Sequence, residues 1–151
     1  MLNALLPRQA GNDYQGHKLA LWLFGALMLL KAIISVNSMI NGDVVASSAD
    51  GIPLHTFSPA AAETIVTMFA LSGLRQLTFC LIGLVVLTRY RALVPLMFAL
   101  LLLEHVGRQV ILQVLPISTT DRPPGAVVTI VLMALTVVGL GLSLWRRGDA
   151  R

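Results

Sequence analysis

Apolar residues along this chain gather into four long runs, at residues 19–40, 64–87, 92–115 and 126–145, separated by short polar stretches. Each run holds 20 to 24 residues, and at about 1.5 Å of helical rise per residue that length crosses a hydrocarbon layer of about 30 Å. Lipid offers the backbone no hydrogen-bond partners, so a spanning segment must satisfy its own amides and carbonyls. The runs lack the alternation of a membrane barrel strand and therefore predict helices. Turn formers punctuate the connections: Asn41-Gly42-Asp43, Asp50-Gly51-Ile52-Pro53, Ser58-Pro59 and Pro123-Pro124-Gly125. The pattern predicts an all-α fold, a four-helix transmembrane bundle forming a single domain over residues 1–151. Its loops are short, except for one between the first two helices that is long enough to act as a lid over the outer end.

Composition agrees. Charged residues make up 12% of the chain and hydrophobic ones 56%, against about 25% charged in a soluble domain, and the mean hydropathy is +0.82. The net charge of +4 does not describe a nucleic-acid surface, because the basic residues are spread over loops and spans instead of one soluble face. A lone Cys80 excludes an internal disulfide, a Cys-x-x-Cys pair and a thiolate zinc cluster, and reads as a small core hydrophobe. No metal site is expected.

Lys and Arg in the short loops set the orientation. Arg8, Lys18, Arg89, Arg91, Arg146, Arg147 and Arg151 fall on one side, whereas the other carries Asp43, Asp50, Glu63 and Asp121 with Arg122 as its single cation. Both termini are therefore expected in the cytoplasm, with Trp22 and Trp145 at that boundary. The first run is longer than a signal-peptide core and contains Lys31, which makes it an uncleaved anchor.

The chemistry lies in residues that lipid disfavours. Lys31, Arg75 and Glu104 each fall near the midpoint of a run, which places them at one depth to within roughly 3 Å. A charge at the bilayer centre costs about 2.5 to 3.5 kcal/mol on an insertion scale, so these three are expected to face one another or a wet cavity. Helical spacing adds Arg108 to the face of Glu104, a stripe of His105, Gln109 and Gln113 beside it, Ser35 and Ser38 above Lys31, and Ser72 and Gln76 beside Arg75. The inner halves of the first three runs are almost wholly apolar, so the polar interior reads as a funnel open outward. Candidate ligand contacts are Lys31, Arg75, Gln76, Glu104, His105, Arg108 and Gln109. Lys31, Arg75 and Arg108 oppose only Glu104, and an Arg does not give up its proton. Glu63, a lipid phosphate, a carboxylate or a quinone carbonyl would complete the set. The same charges also read as polar glue between helices, Arg75 with Glu104 above all. In the fourth run Thr129, Thr136 and Ser143 recur every seven residues and Gly139 stands four before Ser143, a close-packing surface within the bundle or between protomers.

The stretch from Gly73 to Arg108, with Gly83, the Arg89-Tyr90-Arg91 turn and Leu101-Leu102-Leu103-Glu104-His105, resembles small four-span bacterial proteins of the DoxX-like type. The resemblance covers about the middle third of the chain. It implies a bacterial inner-membrane protein, in a superfamily associated with quinone-linked oxidation of sulfur compounds and with redox-stress complexes. No motif fixing catalytic residues carries over, and the lack of paired cysteines stands against a thiol-redox role.

Three functions fit the residues. The first is a non-enzymatic protein that holds a lipid-like or anionic small molecule, a bound lipid or quinone included, as a homo-oligomer or an accessory subunit among membrane lipids and partner subunits. The second is an enzyme in which Glu104 or His105 is the acid or base for a quinone- or sterol-like substrate. The third is a transporter or channel, for which four unbroken spans would have to oligomerise through an exposed Gly139 and Ser143.

Overall fold

A computed structural model describes residues 11–115 and 124–145. Arg8, Asp121, Arg122, Arg146, Arg147 and Arg151, which enter the orientation argument, lie outside the described residues, as does Pro123 of the last turn.

Four helices carry the fold: α1 (Lys18–Ile40), α2 (Pro59–Arg89), α3 (Val94–Val114) and α4 (Pro124–Leu144). Each is long and apolar enough to cross a membrane, and the chain is a multi-pass membrane protein with an all-α four-helix bundle. The ends follow ordinary capping chemistry. His17 Nδ1 accepts the Leu19 amide at 3.2 Å to open α1, and Ser58 Oγ accepts the Ala61 amide at 3.4 Å to open α2, with Pro59 next to it. That start makes α2 31 residues long, five residues earlier than the hydropathy pattern predicts. Ala60, Ala61 and Ala62 are good helix formers, and Glu63 ends the apolar run without ending the helix.

Packing is antiparallel. Gly25 lies against Leu87, Gly83 against Met28 and Phe24, and Gly73 against Ser35, Ser38 and Met39, so small residues bring α1 and α2 close along their length. Gly139 of α4 receives the ring of Phe98 from α3. Thr136 and Ser143 are buried as well, so the small-residue stripe of α4 is spent inside the bundle and is not offered to a second copy. The core sits at one end, where Ala20, Phe24, Leu27, Met28, Val86, Val94, Met97, Phe98, Leu101 and Leu132 form one cluster. Phe24 and Phe98 meet edge to face there, with centroids 5.3 Å apart.

The same end gathers the start of α1, the α2–α3 turn and the finish of α4. Residues 11–17 tie them together: Ala92 N–H donates to Gly11 O at 3.2 Å, and His17 N–H donates to Leu142 O at 3.1 Å, which satisfies one of the orphaned carbonyls closing α4. At the opposite end the connector between α1 and α2 passes through helical turns at Gly42–Val44, Val45–Ala49 and Leu54–Thr56. It reverses at Gly51, whose φ of 69° is in the left-handed region. Ala46 and Ile52 are buried beneath it. Gly42 sits against Val66 of α2, and Gly125 of α4 sits against Ala49 and Asp50, so the connector lies across that end as the long loop leads one to expect.

Candidate functional site: a groove between helices two and three

Two stripes of side chains define the site. On α3, Met97, Leu101, Glu104 and Arg108 follow one another on one face at three- and four-residue spacing. Met97 and Leu101 are 4% and 0% exposed, whereas the side chains of Glu104 and Arg108 are 38% and 51% exposed. On α2, Val86, Phe79 and Arg75 form the corresponding stripe: Val86 is buried, Phe79 is half-buried against the core, and Arg75 is exposed. Helices α2 and α3 are close at their turn and part above it. Because α1 packs along α2 and α4 along α3 while α2 and α3 touch little beyond their turn, a groove is left between α2 and α3, with α1 behind it.

Lys31 of α1 stands at the base of the groove, 7% exposed. Its Nζ donates to Glu104 Oε2 at 3.3 Å. This ion pair joins two of the three charges near the middles of the apolar runs and is made by two helices. Arg75 does not join it. The contacts of Gly25, Gly73 and Gly83 fix a register in which Lys31 is level with Cys80. Arg75 is therefore about five residues, or about 7 Å, further out, and it points away from α1. It has no ion-pair or hydrogen-bond partner among the described residues. The physical reason is that these glycine contacts set the register of α2 on α1, so the midpoint of its apolar run is not the level of its neighbours' midpoints.

Arg108 also finds a partner that the sequence pattern does not reveal: its Nη2 lies 3.6 Å from Asp50 Oδ1 in the connector. One turn above Glu104, it links α3 to the segment lying across the bundle. His105 faces inward, 6% exposed, and its Nε2 is buried with no hydrogen-bond partner. It lies within electrostatic reach of Lys31, Glu104 and Arg108. Gln76 donates to Cys80 Sγ at 3.8 Å, which places a thiol read as a plain core residue beside the Lys31–Glu104 pair. Gln109 is half-buried. Glu63 is exposed on α2, about three turns beyond Arg75, and stands in neither of the two ion pairs formed among the described residues.

Much of the remaining polarity is consumed locally. Ser35 Oγ donates to Lys31 O at 2.6 Å and Ser38 Oγ to Ile34 O at 3.0 Å. Thr67, Thr129 and Thr136 likewise bond the carbonyl four residues before them. These hydroxyls are satisfied by their own helices, and the groups left for an outside molecule among the described residues include the charges, His105 and Gln109. No three His, Cys, Asp or Glu side chains among the described residues are grouped so as to hold a metal ion. Compared with family models, curated proteins and solved structures, the chain matches none, so its chemistry has to be read from the groove itself.

Proposed function

We propose that the groove binds a lipid-like or anionic small molecule drawn from the bilayer. The observation that carries this reading is the placement of the Lys31–Glu104 pair, a polar contact at mid-membrane with its carboxylate over a third exposed in a cleft. Intramembrane ionisable groups are costly and mark binding or transfer sites by default. The core closes the groove toward the α2–α3 turn, and the connector lies across the other end, so entry is sideways, from among the acyl chains. A ligand that enters this way has an apolar body and a polar end.

The charges also support an orientation. Lys18, Arg89 and Arg91 stand at the turn end, and Asp43, Asp50 and Glu63 at or near the connector end, which favours the turn end, with both termini, in the cytoplasm. The resemblance to DoxX-like proteins supports a bacterial inner membrane.

Gentle extraction followed by native mass spectrometry tests the reading. The native chain is expected to carry a non-covalent adduct, and the double variant Lys31→Met Glu104→Met, which removes both members of the pair and leaves no charge stranded, should lose it while keeping its helicity. A bare native chain, or an adduct indifferent to the double variant, would refute it. One observation favours a second reading, an enzyme: the partnerless buried Nε2 of His105 beside Glu104 is the arrangement of an acid–base pair awaiting a substrate. In that case His105→Gln abolishes turnover of the bound molecule without releasing it.

A further inference from the structure

The groove has two arginines on its walls at matching height. Arg75 on α2 stands about 7 Å outward of Lys31 by helical register, and Arg108 on α3 stands one turn, or about 6 Å, outward of Glu104. Lys31 and Glu104 are paired at 3.3 Å, so both guanidiniums stand a similar distance above one ion pair, one on each side of the opening. Both are exposed. Arg75 has no partner among the described residues, and Arg108 makes a single contact of 3.6 Å with Asp50. Most of the ten N–H donors that two guanidiniums carry therefore have no partner among the described residues.

Local charge fixes the complement. Lys31, Arg75 and Arg108 supply three positive charges, Glu104 and Asp50 two negative ones, and one positive charge is left over. We propose that Arg75 and Arg108 clamp the phosphodiester of a lipid of net charge −1, whose chains descend the groove past Phe79 and Leu101. A planar carboxylate matches one guanidinium fork edge-on, whereas the two charged oxygens of a phosphodiester are set tetrahedrally, with ester oxygens beside them, and accept from guanidiniums approaching from two sides. The height agrees: both arginines are on the connector side of the Lys31–Glu104 level, from which long side chains reach toward headgroups. This inference rests on the groove being a binding site for a bilayer molecule and names the class of that molecule.

The test uses the full chain, delipidated in neutral detergent and titrated separately with phosphatidylglycerol, phosphatidylcholine, oleate and inorganic phosphate. Native mass spectrometry and thermal unfolding read the result. One equivalent of phosphatidylglycerol should be retained under activation that strips phosphatidylcholine, and it should raise the melting temperature where phosphatidylcholine does not. Arg75→Gln, which breaks no ion pair or hydrogen bond among the described residues, should weaken phosphatidylglycerol binding about tenfold, and Arg75→Gln Arg108→Gln should reduce it to background. Equal retention of the two phospholipids, or undiminished binding in Arg75→Gln, would overturn the clamp. Retention of oleate alone would overturn the phosphodiester, and a response to inorganic phosphate equal to that of the lipid would overturn the lipid source. If the adduct co-purifying with the native chain survives both arginine changes but is lost in Lys31→Met Glu104→Met, only the clamp fails and the groove remains a binding site.

Discussion

Lys31 Nζ and Glu104 Oε2 lie 3.3 Å apart and connect α1 to α3 across 73 positions of sequence. The lysine is buried while the carboxylate is partly open. The pair thus holds two helices at a fixed spacing and also presents one polar edge to the groove. In hydrocarbon neither member can exchange its partner for water, so the geometry is maintained by the high cost of separation.

Glu104→Gln therefore strands a buried ammonium. Thermal unfolding in detergent should show a loss of roughly 2 to 4 kcal/mol, reduced from the fully buried case because the carboxylate is partly exposed. Lys31→Met Glu104→Met should recover most of that loss. An unchanged melting temperature in Glu104→Gln would mean that water already solvates the pair.

Close packing by glycine makes a second expectation position-specific. A Cβ on Gly73 would meet the backbone oxygen of Ser35 at 2.7 Å, and a backbone atom cannot turn aside. Gly73→Ala should force α1 and α2 apart at a cost of about 1 to 3 kcal/mol. Gly107 and Gly141 have nothing within 4 Å of the corresponding point, so Gly107→Ala and Gly141→Ala should be neutral or stabilising by up to about 1 kcal/mol. Equal changes at all three sites would show that the α1–α2 contact does not set the response at Gly73.

Tyr14 lies outside the spans and supplies a pH dependence. Its hydroxyl donates to His17 O at 3.4 Å, and burial pushes its ionisation from 10.0 up to about 12. The folded state favours the neutral phenol more than the unfolded chain does. The stability from this group is thus complete below pH 10 and is lost as the pH climbs from 10 toward 12. Tyr14→Phe should remove that component, so the gap in melting temperature between the native chain and the variant narrows across this window. A gap constant up to pH 12 would place the hydroxyl in water.

The sequence by itself determined the four helices, the fold class and the identity of the troublesome charges, because hydrocarbon imposes rules that act on single segments: length, apolarity and self-satisfied backbone. It also located the Lys31–Glu104 depth, since helical rise alone converts position into height. Only tertiary structure decided the partners. Arg75 left the cluster because the register of α1 on α2 is set by Gly25, Gly73 and Gly83 and not by the centre of an apolar run. Arg108 took Asp50 because a connector with no periodicity folded across the bundle. Cys80 became a neighbour of the ion pair, and Gly139 turned inward onto Phe98, through the azimuth of each helix. All four spans are apolar around most of their circumference, so their sequences carry little record of which side faces in. That choice is made by shape, when small residues and large rings from different helices interlock.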